Sequence, residues 1–382
     1  MSGRVTASAT PRAPAPPTVP ADADGRYRFV PLAGDARLEV EAAFTGTGAV
    51  AQHHPLWLDV LADCGERTFG GAAYIDGELA GWIAGALRHG AGGVVVTSLP
   101  LVAYGGPVVV RGGAATAQAL TRWFAATARA HGAAAIGIGL SPFTAEETVA
   151  ATAAGLDANA RYDNFAQVQP LDPHPLRQLP KARRDTLASL VRRAERAGVV
   201  VGASSDDAEL EEWLSIYRAR YSELGARPLA DEFHRSAVAR GKRSGRVEFW
   251  SARQGERLLG GSLFLVGDGV VDYFSSAYAT DPETRAIAPN SLLLSSAFHA
   301  FAARGVQWFN WQSSPGRGGV YRFKAGWGAE ERPQPYLCWI APDARALLAL
   351  TPADVVREYP SRFVIPFDRL AGHEGGAPRA CG

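Results

Sequence analysis

The sequence of 382 residues predicts an α+β fold made of two tandem domains. At roughly 150 residues per domain, the chain is long enough for two domains that each bury a core. One order of elements, a hairpin, a third strand, a helix and a strand, occurs in the first half and recurs after residue 246. The Pro-rich stretch LDPHPLRQLP at 171–180 separates the two runs and has the composition of a linker.

The first domain is predicted over 27–172. It begins with the strand-like YRFVPL, and a short helix follows in HHPLWLDVLADC. Two apolar runs around Asp76-Gly77 predict a β-hairpin, because Asp-Gly between such runs favours a tight turn. Strands at 94–96 and 108–110, a helix over about 114–130 and a buried strand at 134–140 complete the domain.

The second domain is predicted over 173–345 and begins with a helix after Pro180. Leu187, Leu190, Val191 and Ala194 form one apolar stripe on that helix. Further helices are expected over about 208–224 and 230–240. A hairpin and a third strand follow, then a helix over 289–303 and a strand at 306–311. Residues 346–382 are left as a C-terminal extension.

Composition excludes several classes of protein. With 39 Lys and Arg against 38 Asp and Glu, the net charge is +1, so a nucleic acid would have to bind a local basic patch. Cys64, Cys338 and Cys381 lie far apart, and the eight histidines show no HExxH spacing. We therefore expect no metal site and no disulfide framework, as is typical of a reducing cytosol.

No segment has the ~18 consecutive apolar residues of a membrane span. The Ala/Pro-rich N-terminus, 1–26, lacks the apolar region of a secretory signal and is predicted to be a disordered tail. The sequence thus predicts a cytoplasmic protein without an integral membrane segment.

The segment FNWQSSPGRGGVYRFKAGWG at 309–328 carries the most chemical information. It places a lysine, Lys324, among glycines, ring-bearing side chains and strand-end amides. A lysine held in this way is suited to bind an anion or a developing oxyanion. A solvated lysine lying over Tyr321 is the alternative, and spacing alone favours neither.

GVYRFKAGWG resembles the G-x-Y-x-F-K-x-x-W-G signature of the Fem-type aminoacyltransferases in the GNAT superfamily. Three other segments are similar to that family: LPKARRDTLASLVRRAERAGVVV, LVAYGGPVVV and APNSLLLSSAF. The resemblance covers most of 45–340. It implies two tandem GNAT-like domains with an interdomain cleft, and amide formation by attack of a primary amine on an activated carbonyl. No acyl-enzyme is implied, so no Ser/His/Asp set is needed.

Carried over position by position, the resemblance makes Lys324 the catalytic residue, in contact with donor phosphate or the tetrahedral oxyanion. Tyr104 would line the acceptor cleft, and Arg183 or Arg184 would meet a diphosphate. The other expected substrate-binding residues are Tyr278, Asn290, Gln312, Tyr321, Phe323 and Trp327.

Helical projection places Arg183 beside the apolar stripe, so it should point inward, toward substrate or an interdomain salt bridge. Arg192, Arg193 and Arg196 should face outward, either solvated or in contact with RNA.

The sequence departs from acetyl-CoA enzymes where they carry R/Q-x-x-G-x-G/A. Here Arg285-Ala-Ile-Ala-Pro-Asn290 lacks the glycines, and Pro289 has no N–H to offer a pyrophosphate. The Fem-type proteins share this loss, which favours aminoacyl-tRNA as the donor co-substrate, with no tightly bound cofactor.

The predicted function is therefore N-acyl transfer to a primary amine on a peptidoglycan precursor or a small metabolite. Two alternatives stay open: an acyl-CoA-dependent N-acetyltransferase and a non-catalytic binding module. The long helical arm of some peptidoglycan-bridge enzymes is missing, because 181–240 is too short for it.

Overall fold

The computed structural model describes residues 25–172, 176–177 and 179–371. The predicted disordered tail lies outside this part of the chain, apart from its last two residues. Parts of the predicted linker and the last eleven positions of the extension (372–382) also lie outside it.

Runs of consecutive strands and single or paired helices make up a mixed α/β architecture. The strands are β1 (Arg28–Pro31), β2 (Arg67–Ile75), β3 (Glu78–Gly90), β4 (Gly93–Ser98), β5 (Val108–Val109), β6 (Ala133–Gly139), β7 (Ala160–Pro170), β8 (Val199–Ser204), β9 (Val247–Gln254), β10 (Arg257–Val266), β11 (Val270–Tyr278), β12 (Trp308–Ser313) and β13 (Glu330–Ile340). The helices are α1 (Gly34–Ala43), α2 (Leu56–Asp63), α3 (Gly113–Ala130), α4 (Glu146–Leu156), α5 (Lys181–Arg196), α6 (Asp207–Glu223), α7 (Asp231–Ser244), α8 (Pro282–Ile287), α9 (Pro289–Ala303), α10 (Gly319–Gly326), α11 (Arg345–Leu348) and α12 (Pro352–Glu358).

The strands form one sheet in the order β1-β2-β3-β4-β6-β13-β7-β12-β11-β10-β9-β8, with β5 paired to β3. β4 runs parallel to β6, and β11 runs parallel to β12. The other neighbouring strands along this order are antiparallel. Read outward from the central β13–β7 pair, the two halves repeat the same strand pattern. The predicted fold class, two tandem domains of mixed α/β type, is confirmed.

The last strand of each half lies in the other half of the sheet. β7 precedes the predicted linker yet pairs with β12, and β13 follows β12 in the chain yet pairs with β6. β13 and β7 pair with each other from Glu330↔Val168 to Cys338↔Ala160. The two halves are therefore joined by a continuous sheet, and the predicted domain boundaries at 172/173 and 345/346 stay predictions.

Helices cover both faces of the sheet. In the second half α6 and α7 pack on one face, around Trp213 and Phe233, while α5 and α9 pack on the other, around Phe298. In the first half α3 lies over one face, and the C-terminal extension covers the other through Leu347 and Tyr359.

Local sequence explains where several elements end: Asp76 and Gly77 both adopt positive φ in the first hairpin turn, and Gly198 does so after α5.

The sequence did not predict α1, α4, β7, β8, α8, α10, α11 or α12. β7 shows why: its buried positions include Gln167 and Gln169, so its apolar pattern is interrupted. Their amides bind Ser314 and Trp311, which lie in the distant β12 region. No described helix is long and apolar enough to cross a bilayer.

Candidate active site

The site is centred where two parallel strands separate. β11 and β12 pair only over three positions, Val270↔Trp308, Val271↔Phe309 and Asp272↔Asn310. Beyond these, β11 continues beside β10, and β12 continues beside β7. We call the space between the diverging arms the wedge. Backbone groups on its facing edges have no partner strand and must bind other groups.

Five polar side chains meet at the closed end of the wedge, and we call them the apex cluster: Gln52, Tyr104, Asp272, Asn310 and Gln312. The Asn310 amide donates to Asp272 Oδ1 and, at 3.1 Å, to the Tyr104 hydroxyl. Gln312 Nε2 also donates to Asp272 Oδ1, at 2.8 Å. All but Gln312 are 0% exposed. Gln52 and Tyr104 come from the first half of the chain and the other three from the second, so the cluster spans the interdomain junction.

The electrostatics of the apex cluster are dominated by burial. Burial raises the pKa of Asp272 to about 8, against the opposing effect of the hydrogen bond from Asn310 and of the nearby Gln52 amide. Burial, and then the nearby Asp272 charge, holds the pKa of Tyr104 well above its usual range. Within the described residues, Asp272 Oδ2 and both amide atoms of Gln52 lack a hydrogen bond of good geometry. Both side chains thus keep unused hydrogen-bonding capacity.

Sequence reasoning missed Asp272 and Gln52. The available signal was the acidic residue inside the strand VVDYFSSAY, since a carboxylate in an apolar run is costly unless it is paired or neutral.

Lys324 lies on α10 and is 6% exposed. Its ammonium donates to Ser313 O at 2.7 Å and to Gln312 O at 3.3 Å, at the far end of β12. Burial lowers the pKa of Lys324 to about 7. The solvated-lysine alternative is therefore wrong. The catalytic role of Lys324 stays a prediction.

Gln312 links Lys324 to the apex cluster. Its side chain binds Asp272, whereas its carbonyl accepts from Lys324. It has a φ of 64°, in the left-handed region, and lies within the bulge between Asn310 and Ser313. A non-glycine residue in this region costs of order 1 kcal/mol or more and persists only when its surroundings hold it. The backbone turn that presents both carbonyls to Lys324 therefore depends on these contacts.

Strand β7, which belongs to the first half of the chain but pairs with β12, holds α10 in place through Gln167. Gln167 donates to Tyr321 O at 3.1 Å and accepts from Ser314 at 2.8 Å. The lysine helix is thus fixed by a side chain from the first half of the chain.

The aromatic surroundings of Lys324 differ from the prediction. Because 319–326 is helical, successive residues diverge by about 100°, and Tyr321 and Phe323 cannot enclose Lys324 from both sides. Phe323 is 37% exposed, and Trp327 is buried in the core against Phe298. Tyr321 packs edge-on to Phe165. Substrate contact by these three rings stays a prediction.

A cavity of about 420 Å³ lies further along β11 and contains two of the predicted residues, Tyr278 and Asn290. It also contains Arg285, Arg220 and the N-terminus of α9. Its first residue on β11, Ser276, is four positions from Asp272, or about 13 Å along a strand. Sequence reasoning placed Tyr278, Asn290 and Tyr104 in one site, whereas the structure divides them between the cavity and the apex cluster.

The cavity offers few backbone donors to a diphosphate. Ala288 is left-handed, and Pro289, the first residue of α9, has no N–H. The Ser291 N–H is already bonded to Ala288 O at 3.0 Å. The N-terminus of α9 therefore lacks much of the usual helix-start anion site.

The expectation that Arg183 points inward is wrong. Arg183 is exposed, and its guanidinium lies across the end of α10, 3.3 Å from where a Cβ on Gly326 would be. Its long side chain extends over this glycine instead of entering the core. Within the described part of the chain, Arg184 donates to Arg177 O at 3.4 Å. Neither arginine forms an ion pair with a described carboxylate, so the interdomain salt bridge is not formed within the described part of the chain.

The three arginines expected to face outward are all exposed: Arg192, Arg193 and Arg196. Arg193 donates to Ala286 O at 3.1 Å, which ties α5 to α8.

The comparisons agree with this architecture. Residues 181–325 match the acetyltransferase (GNAT) domain family. No curated protein sequence matches the chain.

Among solved structures, FemX aligns with a TM-score of 0.61 at 13% identity, over 82% of this chain and 97% of FemX. A tandem GNAT protein from the clavulanic acid biosynthesis pathway aligns with a TM-score of 0.51 at 16% identity, over 83% of this chain and 99% of its own. L-PGS from Bacillus licheniformis aligns with a TM-score of 0.51 at 12% identity, over 84% and 94%.

Proposed function

We propose that the chain, which has a tandem fold like that of FemX and a segment that matches the GNAT acetyltransferase domain, is an acyltransferase that transfers an aminoacyl group from aminoacyl-tRNA to a primary amine. The acceptor is a peptidoglycan precursor or a small metabolite. The observation that carries the proposal is the buried Lys324 ammonium, which two backbone carbonyls hold at the end of β12 without a described carboxylate to neutralise it.

Lys324 suits the charge that this reaction creates. Attack by an amine on an ester carbonyl moves an electron pair onto the carbonyl oxygen. An ammonium has three N–H donors, and two of those of Lys324 bind Ser313 O and Gln312 O. The third can bind the oxyanion, in surroundings where a fixed cation is worth more than in water.

Two features support aminoacyl-tRNA as the donor. The cavity at the start of α9 is poor in N–H donors for a pyrophosphate. Three arginines without described ion pairs lie on the adjoining helices α5 and α10: the exposed Arg183 and Arg322, and the half-buried Arg184. Such a basic surface beside the lysine suits a phosphate backbone.

The acceptor class is supported by the resemblance to Fem-type enzymes and by the structural likeness to FemX. An acyl-CoA donor is the second candidate. It is favoured by the cavity itself, where Arg285 and Asn290 lie beside the start of α9 and could hold phosphate oxygens.

A donor screen tests the proposal. The wild-type protein is incubated with bulk aminoacylated tRNA or with a set of acyl-CoAs, each together with a panel of primary amines that includes muramyl peptide precursors. Amide products are measured by mass. We expect products with charged tRNA, and their loss after RNase treatment and in Lys324→Ala. Saturable, RNase-insensitive turnover with acyl-CoA would instead support the second candidate, and no transfer from any donor would contradict both.

A further inference from the structure

We propose that Asp272 acts as a neutral carboxylic acid that joins the two domains and holds Gln312, and through it Lys324, in position. Asp272 is thereby a positioning residue and has no contact with substrate. The part of this inference that concerns activity rests on the proposed function, whereas the protonation state of Asp272 does not.

The neutral form follows first from the surroundings of the carboxyl. Asp272 is 0% exposed, and no described cation forms an ion pair with it. A carboxylate buried without a cation is strongly disfavoured and takes up a proton instead. The raised pKa of Asp272 agrees with this reasoning.

The hydrogen-bond pattern points to the oxygen that carries the proton. Oδ1 accepts from the amides of Asn310 and Gln312, while Oδ2 has no hydrogen-bond partner among the described residues. The Gln52 amide lies beside the carboxyl, and both of its polar atoms are unsatisfied. If the terminal amide of Gln52 is turned so that Oε1 faces the carboxyl, a proton on Oδ2 donates to Oε1 and satisfies both oxygens in one bond.

Among the titratable groups that face one another here, Asp272 is the one whose charge changes near neutral pH. The 3₁₀ turn Ala51–His53 presents Gln52, and the neighbouring His53 ring bonds Gly105 O, with its pKa lowered by burial. The loop before β5 presents Tyr104, whose pKa is held well above its usual range. β12 presents only amides, Asn310 and Gln312. Tyr104 and His53 are therefore neutral near pH 7.

The carboxyl is connected to the reaction through Gln312. The left-handed conformation of Gln312 orients its carbonyl toward Lys324, and the bond from its side chain to Asp272 Oδ1 restrains that conformation. Ionisation of Asp272 would place an uncompensated charge inside the interdomain junction. The bond to Gln52 would then change and the junction would loosen.

Asp272→Asn is the decisive variant, because the amide keeps the shape and the hydrogen-bond roles of the neutral acid. Its oxygen accepts from Asn310 and Gln312, and its NH₂ donates to Gln52. We expect Asp272→Asn to keep kcat within about twofold of wild type at pH 7 and to exceed wild type above pH 8. Asp272→Ala, which cannot hold Gln312, should lose at least tenfold in kcat with KM little changed.

Loss of turnover in Asp272→Asn, with recovery on weakly basic amines that are already deprotonated, would show that Asp272 accepts the substrate proton and would overturn the proposal.

A second measurement does not need activity. Carbon-13 NMR of aspartate-labelled wild-type protein should show one carboxyl, absent from Asp272→Asn, that stays protonated at pH 7. Thermal unfolding tests the same protonation state through the pH dependence of stability. Because the folded pKa lies above the unfolded value of about 4, wild type should lose stability relative to Asp272→Asn as pH rises from about 4 to 8.

An Asp272 carboxyl ionised at pH 7 would contradict the inference even if the proposed function holds. If no donor supports transfer, the NMR titration still decides the protonation state.

Discussion

At the scale of single residues, Lys324 shows how burial adjusts a functional group. Two carbonyl dipoles hold its ammonium, but they compensate a buried cation less well than a carboxylate would. The pKa of Lys324 is therefore lowered to about 7, so its charge changes within the working range of a cell. A general acid benefits from such a value.

Lys324→Ala should fold normally and lose about 10²–10³ in kcat, the typical cost of removing one oxyanion donor. Lys324→Arg should recover little, because a planar guanidinium fits poorly where an ammonium binds two carbonyls. Steady-state kinetics with charged tRNA measures both effects. Lys242→Ala, at an exposed lysine on α7, is the matched control. Near-normal turnover in Lys324→Ala would remove Lys324 from the catalytic machinery.

Burial of Lys324 also predicts how the stability of the protein changes with pH. Its folded pKa, about 7, lies below the unfolded value of about 10.4, so folding releases a proton between these limits. Wild type should gain stability relative to Lys324→Met as pH rises from about 7 to 10. Urea unfolding at several pH values measures this difference. An unchanged difference across that range would mean that Lys324 is not buried in solution.

At the scale of elements, α5 and α10 present a basic surface next to Lys324. The guanidinium of Arg183 reaches the end of α10 because Gly326 has no side chain to exclude it. The arginines on α5 at positions 183 and 184 remain available to phosphate, since no described carboxylate pairs with them. A phosphate partner would explain why these arginines are left unpaired.

Replacing Arg183 and Arg184 together with Ala should raise KM for charged tRNA with little change in stability. The slope of log affinity against log salt should fall by about 2, one for each lost phosphate contact. Arg227→Ala with Arg243→Ala is the control, because these exposed arginines lie outside α5 and α10. A lower melting temperature with unchanged affinity for tRNA would show a structural role instead.

At the scale of the whole molecule, strand exchange joins the two halves. β7 completes the second half and buttresses α10, while β13 completes the first half. The extension after β13 then packs on the first half, where Arg362 forms a buried ion pair with Glu66 at 2.5 Å. Its Ser361 O accepts from Leu101 N, in the loop that leads to Tyr104. The described part of the extension thus supports the first-half side of the site.

Arg362→Met should destabilise the protein by about 3 kcal/mol, because it leaves the Glu66 carboxylate buried with only the more distant Arg88. Glu66→Gln combined with Arg362→Met should recover much of this loss. Urea unfolding of the single and double variants forms a double-mutant cycle. Additive losses without recovery would mean that the two side chains contribute independently.

The sequence by itself determined the fold class, the repeated order of elements, most of the long helices, and Lys324 with its motif. These features depend on local periodicity, turn chemistry and a contiguous pattern of residues, all of which can be read along the chain. Only the tertiary structure decided the exchange of β7 and β13, the outward direction of Arg183, and the separation of the cavity from the apex cluster. It also brought Gln52, Tyr104, Asp272 and Asn310 together. Buried polar residues interrupt the local pattern, and their cost is offset only by partners far away in sequence, so no local signal reveals them.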